Sequence, residues 1–386
     1  MKSDVAMIGL KETRKVSYAE GALIAVILVI ATKFCTLPSV LAGIAESKAV
    51  WAAAILTALE LVTAFFALKT AKGGGLPALD LPRGVKYVFY LFFALFFALK
   101  LAAFTREIST YYALSLFENV PVLPVMVLLL VACSVIARKE YAAIGRMLEL
   151  FMWLFVAVFF FIVIFTRTEG DLFNALAMFS PDTEGLGKGI AAGAAWQGDS
   201  AMLAFLDLRG EERFSPHATG ANIPQERTRA KRRIAILAAL FSLLAVVLFY
   251  AVFTAAYGDA AKMTDYAFIK LTAFRANTDE LGSADWPVII LWSVVTTVYL
   301  TLLLISGREC LYGLVSKDDA PKKSVIPFFL LGGSALLFAL FFLGEEGDYQ
   351  DFMTKIGFIP CFLAVIAAIG LGIYVLAKRK GEKYEE

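Results

Sequence analysis

The sequence is poor in histidine, cysteine and charge, and each shortage removes a class of function. A single histidine, His217, stands among 386 residues, so chemistry built on histidine pairs is excluded. The four cysteines (Cys35, Cys133, Cys310 and Cys361) each lie in or beside an apolar stretch, and no two form a CxxC pair. They read as small buried residues and not as a disulfide or zinc framework. Charged residues make up 18% of the chain and the net charge is +2, which excludes a globally basic nucleic-acid binder. Nucleotide and hydrolase signatures are missing as well. The run Glu184-Gly-Leu-Gly-Lys-Gly looks like part of a phosphate loop. That motif needs glycine where Asp182 stands and a hydroxyl where Gly189 stands. There is no HExxH, no GxSxG and no GxGxxG opening a helix. No enzymatic activity, metal or cofactor is expected.

What the chain has in excess is apolar surface. Apolar residues reach 60% and mean hydropathy is +0.74, against about half apolar and a quarter charged in a soluble domain. An integral membrane protein is expected. A bilayer core about 30 Å thick takes about 20 apolar residues per helix. Ten stretches qualify, near 20–45, 49–68, 85–117, 121–137, 144–166, 187–207, 234–257, 286–307, 325–343 and 353–377. They are too long for strands and show no alternation, so the fold class is all-α and polytopic. Lys2, Lys11, Arg14 and Lys15 precede the first stretch, which is too long for a signal-peptide core and is kept as a span. Placing both termini in the cytoplasm puts most lysines and arginines inside. Lys48, Arg167, Lys188, Lys262, Lys270 and Arg275 are left outside, in keeping with the positive-inside rule. The cytoplasmic loop 208–233 reads as a basic connector beside anionic lipid. The outer loop 258–285 has room for a short helix or two near 262–276, as a lid or as a plain connector.

Two spans are interrupted at mid-membrane. Span one carries Thr32-Lys33-Phe34-Cys35-Thr36-Leu37-Pro38-Ser39 at its centre, and Pro38 is expected to break the helix. Span six carries Gly187, Gly189, Gly193 and Gly198, with Trp196-Gln197-Gly198-Asp199-Ser200 at mid-depth. Gly189 and Gly193 also fit a close helix–helix contact. Irregular backbone at this depth must face protein or a watery cavity. The interrupted spans are the first and sixth of ten, so each opens a block of five. The reading is one transmembrane domain over residues 1–386 made of two inverted repeats, about 17–166 and 187–377, with a site where the breaks meet.

Charges inside the spans mark the same region. Lys33, Glu60, Lys100, Arg106, Glu107 and Asp199 are three of each sign, and each unpaired charge there costs roughly 2.5–3.5 kcal/mol. Mutual pairing is expected. A structural network that only fixes helix register is one reading; a polar cavity for a small charged or zwitterionic solute, or a proton path, is the other. Lys100, Glu107 and Tyr111 share a helix face, with Arg106 about a third of a turn away. Thr57, Glu60 and Thr63 form a polar stripe on span two. Phe34, Trp196 and Tyr299 lie near mid-depth and could close over a ligand, while Trp153 and Trp292 fit an interfacial belt.

The ten-span plan with broken spans one and six resembles the amino acid–polyamine–organocation superfamily, and within it the endospore germination permeases, the B subunits of nutrient-germinant receptors. The stretches carrying the resemblance are Leu37-Pro38-Ser39-Val40-Leu41-Ala42-Gly43 followed by Ala49-Val50-Trp51, Arg106-Glu107-Ile108, Phe117-Glu118-Asn119-Val120-Pro121-Val122, and Gly145-Arg146 with Glu149. Lys33, Gln197 and Asp199 depart from that branch's pattern. The resemblance implies a permease-like receptor subunit in an inner membrane, possible in a spore, which binds a small nutrient such as an amino acid. It also implies a membrane-anchored A subunit and a lipoprotein C subunit as partners. Lys33, Phe34, Cys35, Thr36, Trp196, Gln197, Gly198, Asp199 and Tyr299 would contact the ligand. Glu60, Lys100, Arg106, Glu107 and Tyr111 would compensate charge or carry a proton. A proton-coupled amino acid transporter fits the same residues, and so does a structural subunit with a vestigial pocket.

Overall fold

A computed structural model of the chain describes residues 16–115, 120–166, 176, 179–181, 183–208, 223–273, 285–315, 325–343 and 346–385. The described residues contain no strand. His217, the first fifteen residues, most of the loop 208–233, positions 274–284 of the outer loop and Phe117-Glu118-Asn119 lie outside them. The helices are α1 (Tyr18–Ile30), α2 (Leu37–Ala45), α3 (Ala49–Lys72), α4 (Arg83–Ser115), α5 (Val122–Ala137), α6 (Glu140–Thr166), α7 (Leu186–Gly193), α8 (Ile223–Tyr257), α9 (Ala267–Ala273), α10 (Asp285–Val315), α11 (Ile326–Phe342), α12 (Glu346–Phe352) and α13 (Phe358–Glu385). Short 3-10 segments cover Ala194–Trp196, Asp199–Phe205 and Gly258–Met263.

Six described helical stretches are long and apolar enough to cross a membrane. They are Leu37–Lys72, Arg83–Ala113, Glu140–Phe160, Lys231–Met263, Val288–Val315 and Tyr349–Lys378. Three shorter apolar helices, α1, α5 and α11, accompany them. The chain is therefore a helical membrane protein. Apolar side chains turned outward mark the lipid face, among them Trp153 at 79% exposure and Phe341 at 78%. Trp292 is not part of any belt. It is 1% exposed and sits in an aromatic cluster beside the first break, because α10 runs through the middle of the bundle. There 72% of the Val288–Val315 window is buried, against 28% for Glu140–Phe160.

Local sequence explains where the segments start and stop. Ser17 opens α1 with a capping box: the Glu20 amide donates to Ser17 Oγ at 3.1 Å and the Ser17 amide to Glu20 Oε2 at 2.7 Å. After Ile30 the chain turns through residues 31–36 and restarts as α2. Pro38 is not in the break. It lies in the first turn of α2, where a missing N–H breaks no intrahelical bond, so it fixes the restart and not the stop. Helix α7 packs on α2 and α3 at the two glycines that suggested close contact. A Cβ on Gly189 would come 2.6 Å from Ala45 Cβ, and one on Gly193 would collide with Leu56. Central packing joins α10 to α4, α13 and the Asp199–Phe205 segment to α3, and α8 to α1 and α3.

Candidate functional site

The second break is built around two carboxylates. Gly198 takes a φ of 87°, open to glycine at little cost, and turns the chain between Trp196 and Asp199. The amides this frees are caught by Glu60 of α3: Gly198 N–H donates to Oε2 at 2.8 Å and Ser200 N–H to Oε1 at 2.6 Å. The Gln197 amide nitrogen, oriented to satisfy its neighbours, donates to Glu60 Oε2 and to the Leu56 carbonyl, both at 2.9 Å. Asp199 faces the other way. Its Oδ1 accepts from Tyr299 at 2.8 Å and pairs with Lys100 Nζ at 3.0 Å; its Oδ2 accepts from Thr32 Oγ1 at 2.9 Å. Lys100 also donates to the Ala195 carbonyl at 3.1 Å, which the Cys361 thiol meets at 2.9 Å. Thr32 belongs to the first break, so Asp199 ties the two interrupted segments together.

The first break is held by groups from sequence-distant elements. Tyr250 of α8 donates to the Lys33 carbonyl at 3.0 Å. The first two amides of α9 donate to the next carbonyls, Phe268 N–H to Phe34 O and Ala267 N–H to Cys35 O, each at 3.0 Å. Glu107 of α4 covers the start of α2. Its Oε1 accepts from the Thr36 amide at 3.0 Å and Thr36 Oγ1 at 2.6 Å, and its Oε2 accepts from Tyr349 at 2.7 Å. A carboxylate at a helix N-terminus is favoured by the exposed amides and the helix dipole. Ser39 donates to the Thr36 carbonyl at 2.7 Å and to Asp265 at 3.0 Å, and Gln350 donates to Asp265 at 3.0 Å. The segment before α9 is thereby pinned to α2 and α12.

Lys33 is the group left over. Its ammonium is 1% exposed and makes no hydrogen bond, while lying within electrostatic reach of Glu60, Asp199 and Lys100. Trp196 Nε1 and Ser200 Oγ, in the second break, are also buried without a hydrogen-bond partner. Phe34 closes the α9 side. Its ring stacks on Phe249 at 4.3 Å, Phe268 at 5.7 Å and Trp292 at 6.2 Å. The pocket lined by Phe34, Cys35, Tyr111, Phe268 and Trp292 has no volume for a water molecule.

The expected residues thus fall into groups. Lys33, Thr36, Gln197, Gly198, Asp199, Tyr299, Glu60, Lys100 and Glu107 gather at or around the breaks. Of the paired charges anticipated in the membrane, Lys100 with Asp199 is formed. Glu60 and Glu107 bond amides and hydroxyls and, among the described residues, form no salt bridge, though Glu60 lies within electrostatic reach of Lys33 and Lys100. Tyr111 contacts Tyr112 and Tyr266, with ring centres 5.6 and 5.2 Å away, and lines the aromatic side. Arg106 is partly exposed, turned away from the buried face that holds Glu107. Sequence reasoning missed Tyr250, Tyr349, Cys361 and Asp265; the signal available was a tyrosine hydroxyl within or beside an apolar stretch, which seldom stays unpaired. Among the described residues no group of three or more His, Cys, Asp or Glu side chains could hold a metal ion.

This arrangement, helices interrupted at mid-length and joined through polar groups, is shared with a solved membrane protein. The chain is similar to the manganese transporter of Eremococcus coleocola, solved in complex with an aromatic bis-isothiourea substituted compound. The TM-score is 0.55 over 94% of this chain and 86% of that one, at 13% sequence identity. At that identity the likeness shows a shared fold. No protein-family model matches the sequence, and no curated protein does.

Proposed function

We propose that the chain is a secondary-transporter-type permease that takes a small carboxylate-bearing solute, an amino acid in the first instance, into a site between the two helix breaks. The observation that carries this reading is the join through Asp199, with the unpartnered Lys33 ammonium beside it. A buried charge is costly and marks a functional site more often than a packing choice. The ten spans divide into two inverted blocks of five, each opened by a broken helix, with both termini in the cytoplasm. Alternating access follows from moving one block against the other. Helix α9 sits on the carbonyls of Phe34 and Cys35, so loading from that side requires α9 and Phe268 to lift. The similar solved protein is a manganese transporter; here Lys100 pairs with Asp199 and Lys33 lies within electrostatic reach of it, and a divalent cation is disfavoured.

A second reading keeps the same site and changes its use. The stretches resembling germination permeases include Arg106-Glu107-Ile108, and Glu107 caps α2 at the first break. On this reading the chain is a germinant-receptor B subunit in a spore inner membrane, working with A and C subunits and sensing a nutrient without accumulating it. Reconstitution of the purified chain in liposomes separates the two. Accumulation driven by a proton gradient across an amino-acid and organic-acid panel supports the transporter. Binding without accumulation supports the receptor. No binding and no uptake contradicts both and leaves a structural subunit.

A further inference from the structure

The breaks are asymmetric in what they still lack, and that asymmetry specifies a ligand. We infer that the solute is a small organic anion whose carboxylate is held by the Lys33 ammonium, and that an amino group on the solute is not part of recognition. The inference rests on the permease reading above and deepens it.

The acceptors of the site are already occupied. Asp199 takes Tyr299, Lys100 and Thr32. Glu60 takes the amides of Gly198 and Ser200, and Glu107 takes Thr36 and Tyr349. The carbonyls from Lys33 to Thr36 receive Tyr250, Phe268, Ala267 and Ser39 in turn. A solute ammonium or a metal cation would have to share these oxygens with donors already in place. Amides at the breaks are engaged as well: Glu60 holds those of Gly198 and Ser200, and Glu107 that of Thr36, the residue before α2.

What remains are donors. Lys33 Nζ is buried and has no hydrogen-bond partner; Trp196 Nε1 can only donate, and Ser200 Oγ can donate. An ionised carboxylate is the matching partner for such a set, and charge-assisted bonds are the strong ones. The apolar pocket beside Phe34 would receive the solute's hydrocarbon part once it opens.

The test uses the purified full-length chain in lipid nanodiscs, with equilibrium binding and thermal shift read for lactate, succinate, glutamate, alanine, lysine, putrescine, manganese(II) and the methyl ester of whichever acid binds best. The expected result is that acids bind regardless of an amino group, that cations do not, and that the ester loses affinity about ten- to hundredfold. Lys33→Met should weaken the acids by a similar factor without lowering the melting temperature, because it removes an unpartnered buried charge. Lys33→Arg should retain most of the affinity. Preferential binding of alanine, putrescine or manganese, or an ester that binds as well as its acid, overturns the inference and leaves the permease reading standing. An acid affinity unchanged in Lys33→Met overturns it too. No binding by any solute, together with no uptake in liposomes, overturns both.

Discussion

The two helix breaks solve the same problem with opposite chemistry. In the second, the freed amides of Gly198 and Ser200 are held by a carboxylate from α3, and the turn itself rests on a glycine at φ 87°. In the first, Glu107 holds the Thr36 amide, but the freed carbonyls are held by neutral donors, two of which belong to α9, a helix of 7 residues. Hydrogen bonds to an ionised group are roughly twice as strong as neutral ones. This contrast predicts that the second break is the fixed half of the site and the first is the half that moves. A permease needs both: a rigid frame against which a solute is positioned, and a cover that can leave.

Four substitutions sharpen or break this contrast. The largest effect is expected for Asp199→Ala, which leaves Lys100 buried and unpaired and cuts the tie to Thr32. Unfolding in detergent should show a loss of about 3–5 kcal/mol, most of it recovered when Lys100→Met is added. Glu60→Gln is next. It keeps one acceptor oxygen and should cost about 2 kcal/mol; a variant as stable as the parent removes the basis for calling the second break fixed. Gly198→Ala places a Cβ 3.0 Å from the Cys361 carbonyl at a left-handed φ, for a loss of about 1–3 kcal/mol. Asp265→Ala should be mildest for stability, about 1 kcal/mol or less, since the carboxylate is exposed and bonded to Ser39 and Gln350. Its effect should appear in access. Mass spectrometry should find Cys35, buried beneath α9, labelled by a maleimide several times faster than in the parent, with Cys133, Cys310 and Cys361 unchanged.

Much of the frame was legible in the chain because membrane depth and apolar run length are one-dimensional properties. Long apolar runs gave the helices, and polar residues at mid-run gave the breaks at Thr32–Thr36 and Trp196–Asp199. The charges singled out there do cluster, and Lys100 does pair with Asp199. Partners across the fold were less legible. Glu60 was expected to compensate charge or carry a proton, and nothing local showed that the amides freed by Gly198 would bond to it. Nothing local ties Glu107 to Tyr349, 242 positions away, or Lys33 to Tyr250, 217 positions away. Pro38 misled because proline both interrupts helices and starts them. Trp292 misled because depth along a span says nothing about which side faces lipid.

One fixed break and one movable break are told apart most directly by hydrogen–deuterium exchange of the ligand-free chain in nanodiscs, read at single amides. Ala267 and Phe268, bonded to the carbonyls of Cys35 and Phe34, are expected to exchange about tenfold or more faster than Gly198 and Ser200, bonded to Glu60. Equal protection at the two pairs, or faster exchange at Gly198 and Ser200, would contradict that division.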